Sequence, residues 1–268
     1  MIRLLKIMVF SCAVALLTGC SAPGKDEPIW QQVKIGDLAP SHNGKQPGGQ
    51  LLKTANFTVY IFEIPAENTG SLDDIWPMLH TKPLRFNYYD AFANNSFLVA
   101  FGQLPMWNKV ADLLQAAGGK RVKTVSLLLP DGQANDIPIA TLGNEKTIFY
   151  ISTEGPMEGV TIGPGGLTLR IKAEKIPGSR GVCNVDALPV FSPPISSPIP
   201  QLAAREKSRE FPFACCHFGL KMGPGDFVFL GPQKYSSDQT TLAGLFFSRP
   251  GPRPVVRMFL IVCSRINY

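Results

Sequence analysis

VVRMFLIVCSRI, residues 255–266, is the stretch on which the fold turns. Val256, Met258, Leu260 and Val262 alternate with Val255, Arg257, Phe259, Ile261 and Cys263, and both sets are apolar apart from Arg257. Successive side chains of a strand point to opposite faces, so a strand of this kind needs cover on both. The reading is a central strand paired on each side, with a helix or a second sheet over one face. The other face requires more sheet or a neighbouring subunit. FTVYIFEI, Phe57 to Ile64, has the same character: β-branched and aromatic throughout, with no polar alternate set.

Between these two stretches the pattern predicts strands, short helices and tight turns. Ser71 with Asp74 three residues on has the spacing of a helix-capping box, and Pro77 shortens or kinks whatever follows. Arg85 to Asp90 and Ser96 to Phe101 read as a hairpin around Asn94-Asn95, residues that tolerate positive φ. Pro105 to Ala117 reads as a helix, with Met106, Val110, Leu113 and Ala117 on one stripe, Trp107 and Leu114 widening it, and Gly118 as its stop. That stripe is core packing. From Arg121 the pattern is strands: RVKTVSLLL, a turn at Asp131-Gly132, QANDIPIATL, KTIFYIS, GLTLRIKAEKI, a turn at Gly178 to Gly181, and VCNVDALPVF. SPPISSPIP, 192–200, cannot be a central strand. After the charged stretch Arg205 to Glu210 come FPFACCHFGLKM, a Gly-Pro-Gly turn at 223–225, DFVFLGP and a loop through LAGLFFSRPG.

Composition agrees with this. Charged residues make up only 17% against 45% apolar, with 25 Gly and 24 Pro, a balance that suits many short strands joined by turns. The fold class expected is therefore α+β, mostly β, antiparallel, with one or two short helices near its start. A formal charge of +6 spread over interspersed basic and acidic residues builds no face for phosphate, so nucleic acid is not an expected partner.

The chain opens with an export signal: Arg3 and Lys6, an apolar run from Ile7 to Leu17, then Leu17-Thr18-Gly19-Cys20. The run is too short to span a bilayer, which takes roughly 20 residues. Its end resembles the lipobox of bacterial lipoproteins, which implies cleavage before Cys20 and a diacylglyceryl group on its sulfur. Ser21 in place of Asp resembles the sorting rule for the outer membrane, and that implies a lipid-anchored protein of the cell envelope facing the periplasm. The organisation expected is a signal peptide over 1–19, a Gly-, Pro- and Ser-rich tether over 20–54 and a β-rich domain over 55–268, in an α/β part (55–119) and a β part (120–268).

The order of motifs in that domain resembles the C-terminal β-domain of secretins, the ring-forming outer-membrane channels of secretion and pilus systems. FTVYIFEI reaches an acidic residue at Glu63, as the family's opening strand does. LLQAAGGKRVKTVSLLLPDGQANDIPI matches a helix ending in Gly, a strand and a "Pro, dGq-A" turn at Pro130, Asp131, Gly132, Gln133 and Ala134. GLTLRIKAEKI and VCNVDALPVF resemble its Gly-start strand pair. MGPGDFVFLGP, LAGLFFS and VVRMFLIVCSRI resemble its "dG-tvvlgG" turn and strand, its "lG-LF" loop and its terminal apolar strand. The likeness runs roughly from 57 to 266. Pro232 stands where the family has a second glycine, Arg257 and Cys263 interrupt the last strand, and a helix and Trp-containing segment replace long hairpins between Glu63 and Gly118. The resemblance implies a structural or assembly role, with self-association or an envelope protein as partner.

Chemistry beyond assembly rests on few residues. Cys215-Cys216-His217 offers two thiols and an imidazole, the material for a soft-metal site or a nucleophile with its base, and an exported thiol-dependent enzyme or ligand-binding lipoprotein is the alternative reading. On a strand, however, neighbours face opposite ways. In an oxidising compartment Cys183, Cys215, Cys216 and Cys263 are candidates for disulfides or for packed thiols, and four cysteines allow three connectivities. Gly163-Pro164-Gly165-Gly166 leads into a strand, with no Lys-Ser or Lys-Thr pair behind it, and reads as a turn. Nothing points to a catalytic residue, a metal or a cofactor.

Overall fold

The computed structural model of the protein describes residues 53–194, 201 and 209–267. Cys20, the signal, nearly all of the tether and the proline-rich stretch from 195 lie outside the described residues. The body is mostly antiparallel β with a few short helices.

Two sheets make the frame. The first contains β3 (Phe97–Gln103), β12 (Asp226–Pro232), β14 (Val255–Asn267), β1 (Thr54–Pro65) and β4 (Lys120–Pro130), in that order, with β13 (Ser248–Arg249) also on β14. The second runs β2 (Arg85–Phe86), β11 (Phe218–Met222), β9 (Cys183–Ser192), β8 (Gly165–Lys175) and β5 (Ala134–Leu142), with β10 (Phe211–Pro212) also on β9. A separate ribbon pairs β6 (Lys146–Ile151) with β7 (Met157–Ile162).

The strands expected at the centre are there. β14 is paired with β1 along its length and with β12 from Phe259 to Val262; β1 in turn has β4 on its other side. Phe57, Val59 and Ile61 of β1 with Phe259, Ile261 and Cys263 of β14 pack into one core with Leu167, Leu169 and Ile171 of β8 and Val185 of β9. This is the interior of a sandwich. The opposite face of the first sheet is covered by α2 (Trp107–Ala116) and by the 3-10 turns Ala66–Leu72 and Trp76–Met78. Trp107 meets Tyr60 and Phe227 with ring centroids 6.2 and 6.0 Å apart, and Trp76 meets Phe229 at 5.1 Å. The outer face of the second sheet carries Arg170, Lys172, Glu174, Asp186 and Lys221, which are half-buried or exposed. Among the described residues the architecture is thus helix, sheet, sheet, with the last face uncovered.

Four local expectations are corrected. Arg85 to Phe101 is not a hairpin: β2 and β3 belong to different sheets, and α1 (Tyr89–Asn94) lies between them. The helix wins because it buries Ala91 and Phe92 while the Asn95 side chain is bound on both sides, its amide nitrogen donating to Ala91 O and Ile151 O and its Oδ1 accepting from Ile151 N. The capping box at Ser71 starts no α-helix, since Ser71 lies inside a 3-10 turn and Pro77 opens the next one. The Asp131-Gly132 turn forms, with Gly132 at φ +76° and Gln133 N donating to Pro130 O at 3.0 Å, but it is a corner: β4 goes to the first sheet and β5 to the second. LAGLFF is not loop but α3 (Leu242–Phe247), capped by Thr241 Oγ1 accepting from Gly244 N and buried at all six positions. The hairpin of β8 and β9, the helix ahead of Gly118 and the Gly225 turn form as the sequence predicts.

Candidate functional site

On a continuous strand over Phe211 to Met222, Cys215 and Cys216 would point to opposite faces. Phe213 N instead donates to Pro189 O at 3.0 Å, Cys216 N to Phe213 O at 2.9 Å, and a 3-10 turn (Ala214–Cys216) separates β10 from β11. The turn brings the two sulfurs to 3.8 Å, both buried in the core that also contains Phe213. Burial pushes the Cys216 thiol well up. The hydrogen bond with Cys216 lowers the Cys215 thiol instead, but a nucleophilic cysteine also needs access to solvent, and Cys215 is buried.

His217 is turned away from the thiols. Its Nε2 meets Asp186 Oδ1 of β9 at 3.2 Å, and its Nδ1 is buried without a hydrogen-bond partner in the chain. That bond, foremost, holds the Asp186 carboxyl below the usual carboxylate range, against the opposing effect of burial, with Arg85 and Lys172 adding to it. Cys215, Cys216 and His217 are therefore neighbours in sequence without forming a nucleophile and base. Among the described residues no three His, Cys, Asp or Glu side chains come together as a metal-binding group.

The other two cysteines come from different sheets into one core. Cys183 opens β9 of the second sheet and Cys263 lies on β14 of the first; both are buried free thiols, and the turn from Met222 to Gly225 ties them together, since Met222 pairs with Cys183 and Gly225 N donates to Cys263 O at 2.9 Å. Cys183 Sγ also approaches Met222 O at 3.7 Å. The partner thiol and burial together push the Cys263 thiol far up.

Sequence reasoning passed over two ion clusters. At one end of the sandwich Glu63 accepts from Arg249 Nη2 at 2.8 Å and faces Arg257 Nε at 3.5 Å. On the outer face of the second sheet Arg170 grips both oxygens of Asp136 at 2.7 Å and Glu210 at 2.8 Å, and these two carboxylates hold its guanidinium protonated. The only advance signal for the first was that Glu63 and Arg257 each interrupt an otherwise apolar strand. For the second there was none, because the partners lie on three separate segments.

Surface concavity is modest. One recess of about 160 Å³ lies between α1, the β6–β7 ribbon and the start of α3, bordered by Asn94, Ser96, Phe149, Met157 and Thr241. A wider one of about 450 Å³ is bordered by Val160, Pro164, Phe191, Arg209 and Phe211. Neither contains a convergent set of titratable groups.

No protein-family model, curated protein or solved structure matches the chain.

Proposed function

We propose that the chain is a lipid-anchored structural module of the bacterial cell envelope, exported, attached to the outer membrane through Cys20 facing the periplasm, and built on a secretin-like β-domain that associates with itself or with an envelope protein. The observation that carries this reading is the placing of the motif-bearing segments. The strands of the "dG" motif, the terminal motif, the opening motif and the strand entering the "dGq-A" turn are β12, β14, β1 and β4, four consecutive neighbours in one sheet. The strand leaving the "dGq-A" turn and the Gly-start pair are β5, β8 and β9, neighbours in the facing sheet.

The open edge of that sheet supports association. β4 is an eleven-residue strand whose one partner among the described residues is β1. Natural proteins guard long free edges with charges, because an unpaired edge recruits other strands. Lys120, Arg121 and Lys123 guard one end of β4, whereas Thr124 to Leu129 carries no charge and leaves Leu128 57% exposed. A thiol enzyme using Cys215, Cys216 and His217 draws no support from the geometry, since the thiols are buried and the imidazole is held by Asp186.

The test is the native mass of the full-length protein extracted from membranes in mild detergent. A stable multimer of the chain, or a stable complex with another envelope protein, is the expected result. A monomer at micromolar concentration that crosslinks to nothing in the envelope would overturn the assembly reading.

A further inference from the structure

We propose that Cys183 and Cys263 are the chain's one disulfide in its mature form, a bond between the two sheets, and that Cys215 and Cys216 stay reduced. Of the three connectivities that four cysteines allow, the fold brings together only one pair from distant parts of the chain. Cys183 begins β9 in the second sheet and Cys263 lies on β14 in the first; both are buried in the one core between the sheets, and the turn from Met222, paired with Cys183, to Gly225, bonded to Cys263 O, brings them to the same end of the sandwich. The backbone on each side is fixed: Cys183 is in register with Lys175 and Met222, and Cys263 with Phe57, while Cys263 O accepts from Gly225 N at 2.9 Å. Only the weak contact from Cys183 Sγ to Met222 O has to be given up.

The second pair is close in space for a different reason. Cys215 and Cys216 are adjacent in a 3-10 turn held by Cys216 N to Phe213 O and His217 N to Ala214 O. A bond between adjacent cysteines closes a ring through their shared peptide, which would distort that turn and move Phe213 out of the core. Crosslinking also gains little there, because the loop it closes is minimal. The Cys183–Cys263 bond closes a loop of roughly 80 residues, and the restriction of the unfolded chain grows with loop length.

The inference rests on the export reading, which supplies an oxidant: a disulfide-bearing thiol oxidoreductase of the envelope. The Cys183 thiolate attacks that disulfide, forming a mixed disulfide and releasing one oxidant thiolate. The Cys263 thiolate then attacks the Cys183 sulfur, forms the protein S–S bond and expels the second. The two cysteines lose two protons and two electrons; the oxidant leaves as a dithiol. Both sulfurs are inaccessible once β14 is docked, so exchange takes place while the terminal strand is still joining the sheet.

The experiment uses the full-length protein in two preparations, one extracted from cells under a thiol-blocking reagent and one refolded from denaturant in a glutathione redox buffer. Each is digested with trypsin without reduction. Peptides 181–205 and 258–265 should be joined, and peptide 210–221 should carry blocking groups on both Cys215 and Cys216. Reduction should lower the melting temperature of the wild type by on the order of 10 °C and leave Cys183→Ala and Cys263→Ala unaffected. Blocked Cys183 and Cys263 in both preparations, or either one joined to peptide 210–221, would overturn the pairing. Linkage after refolding but not in cells would leave the pairing standing and overturn the oxidising compartment instead.

Discussion

Arg257 of β14 and Glu63 of β1 stand directly opposite each other in register, the two charged members of strand faces that are otherwise apolar and turned toward the second sheet. Arg257 Nε lies 3.5 Å from Glu63 Oε1, and its Nη1 donates to Ile139 O at 2.8 Å. Ile139 is free to accept because β5 carries a bulge between Pro138 and Ala140 against β8, which leaves one residue outside the ladder. One guanidinium thus joins both sheets at the end of the sandwich. Arg257→Met should lower stability by about 2 kcal/mol, since it leaves the Ile139 carbonyl without its donor and the largely buried Glu63 carboxylate with Arg249 alone. Glu63→Leu combined with Arg257→Met should recover part of that loss in urea unfolding. Two losses that simply add would mean that the residues act independently.

The acid limb of stability has one identifiable contributor. Asp186 is held below the usual carboxylate range chiefly by the hydrogen bond from His217. A carboxylate with a depressed folded pKa stabilises the fold above its unfolded value of about 4, and that contribution disappears as pH falls through the folded value. Asp186→Asn should therefore flatten the loss of stability between about pH 4 and pH 2. The effect should be under about 1 kcal/mol, because Asp186 is a third exposed. If the wild type and the variant follow one curve over that range, the pair contributes nothing.

Much of this frame can be read from the residues, and the limit has a physical reason. A strand that is apolar on both faces has one solution, so β14 and β1 were legible as central strands. A helix with one apolar stripe and a glycine stop was equally clear in α2. Sheet membership was not. The Asp131-Gly132 chemistry specifies a turn and says nothing of whether the strands leaving it pair or diverge. Residues 85–101 fit a hairpin locally, and only the burial of Phe92 against Phe97 and Phe218, with ring centroids at 5.6 and 6.1 Å, decides for a helix. The thiols failed for the same reason: which cysteines meet is a property of the two sheets and of no local segment.

Two glycines separate backbone strain from close packing. Gly132 has φ +76° and open space around it, so Gly132→Val should cost on the order of 1 kcal/mol, while Gly132→Asn should cost less because Asn tolerates the left-handed region. Gly244 in α3 lies under the Asp238 carbonyl, where an added Cβ would overlap that oxygen. Asp238 is itself pinned, since its carbonyl accepts from Thr241 Oγ1 at 3.0 Å and its Oδ1 from Thr240 N at 2.8 Å. Gly244→Ala should accordingly cost more than Gly132→Val, about 2–3 kcal/mol by thermal unfolding. The opposite order would mean that the loop before α3 yields freely.

Attachment can be tested apart from the fold. Cys20→Ala should abolish incorporation of labelled fatty acid and leave an uncleaved precursor. Normal processing and release of the variant would refute the lipobox reading. A diacylglyceryl group with an amide-linked chain gives more than one acyl anchor, which is enough for stable attachment.

The terminal strand decides whether the sheet is one cooperative unit. Phe259, Leu260, Ile261 and Val262 face Ile61, Tyr60, Val59 and Thr58 on one side and Leu230, Phe229, Val228 and Phe227 on the other. All four are essentially buried. Freeing any of their amides means opening a ladder inside the sheet and exposing core on two faces, so local fraying cannot do it. Their hydrogen exchange should be among the slowest in the chain, slower than that of β4, which has one partner among the described residues. Removing residues 255–268 would leave β1 and β12 with new unpaired edges and uncover Phe57, Phe229 and Phe247, so the truncated chain should be insoluble. Phe259→Ala tests the same strand without deleting it and should cost about 3–5 kcal/mol. If the amides of Phe259 to Val262 exchange as fast as those of Thr124 to Leu128 at the β4 edge, β14 is not the centre of a cooperative sheet, and both the two-sided pairing and the covered core would have to be abandoned.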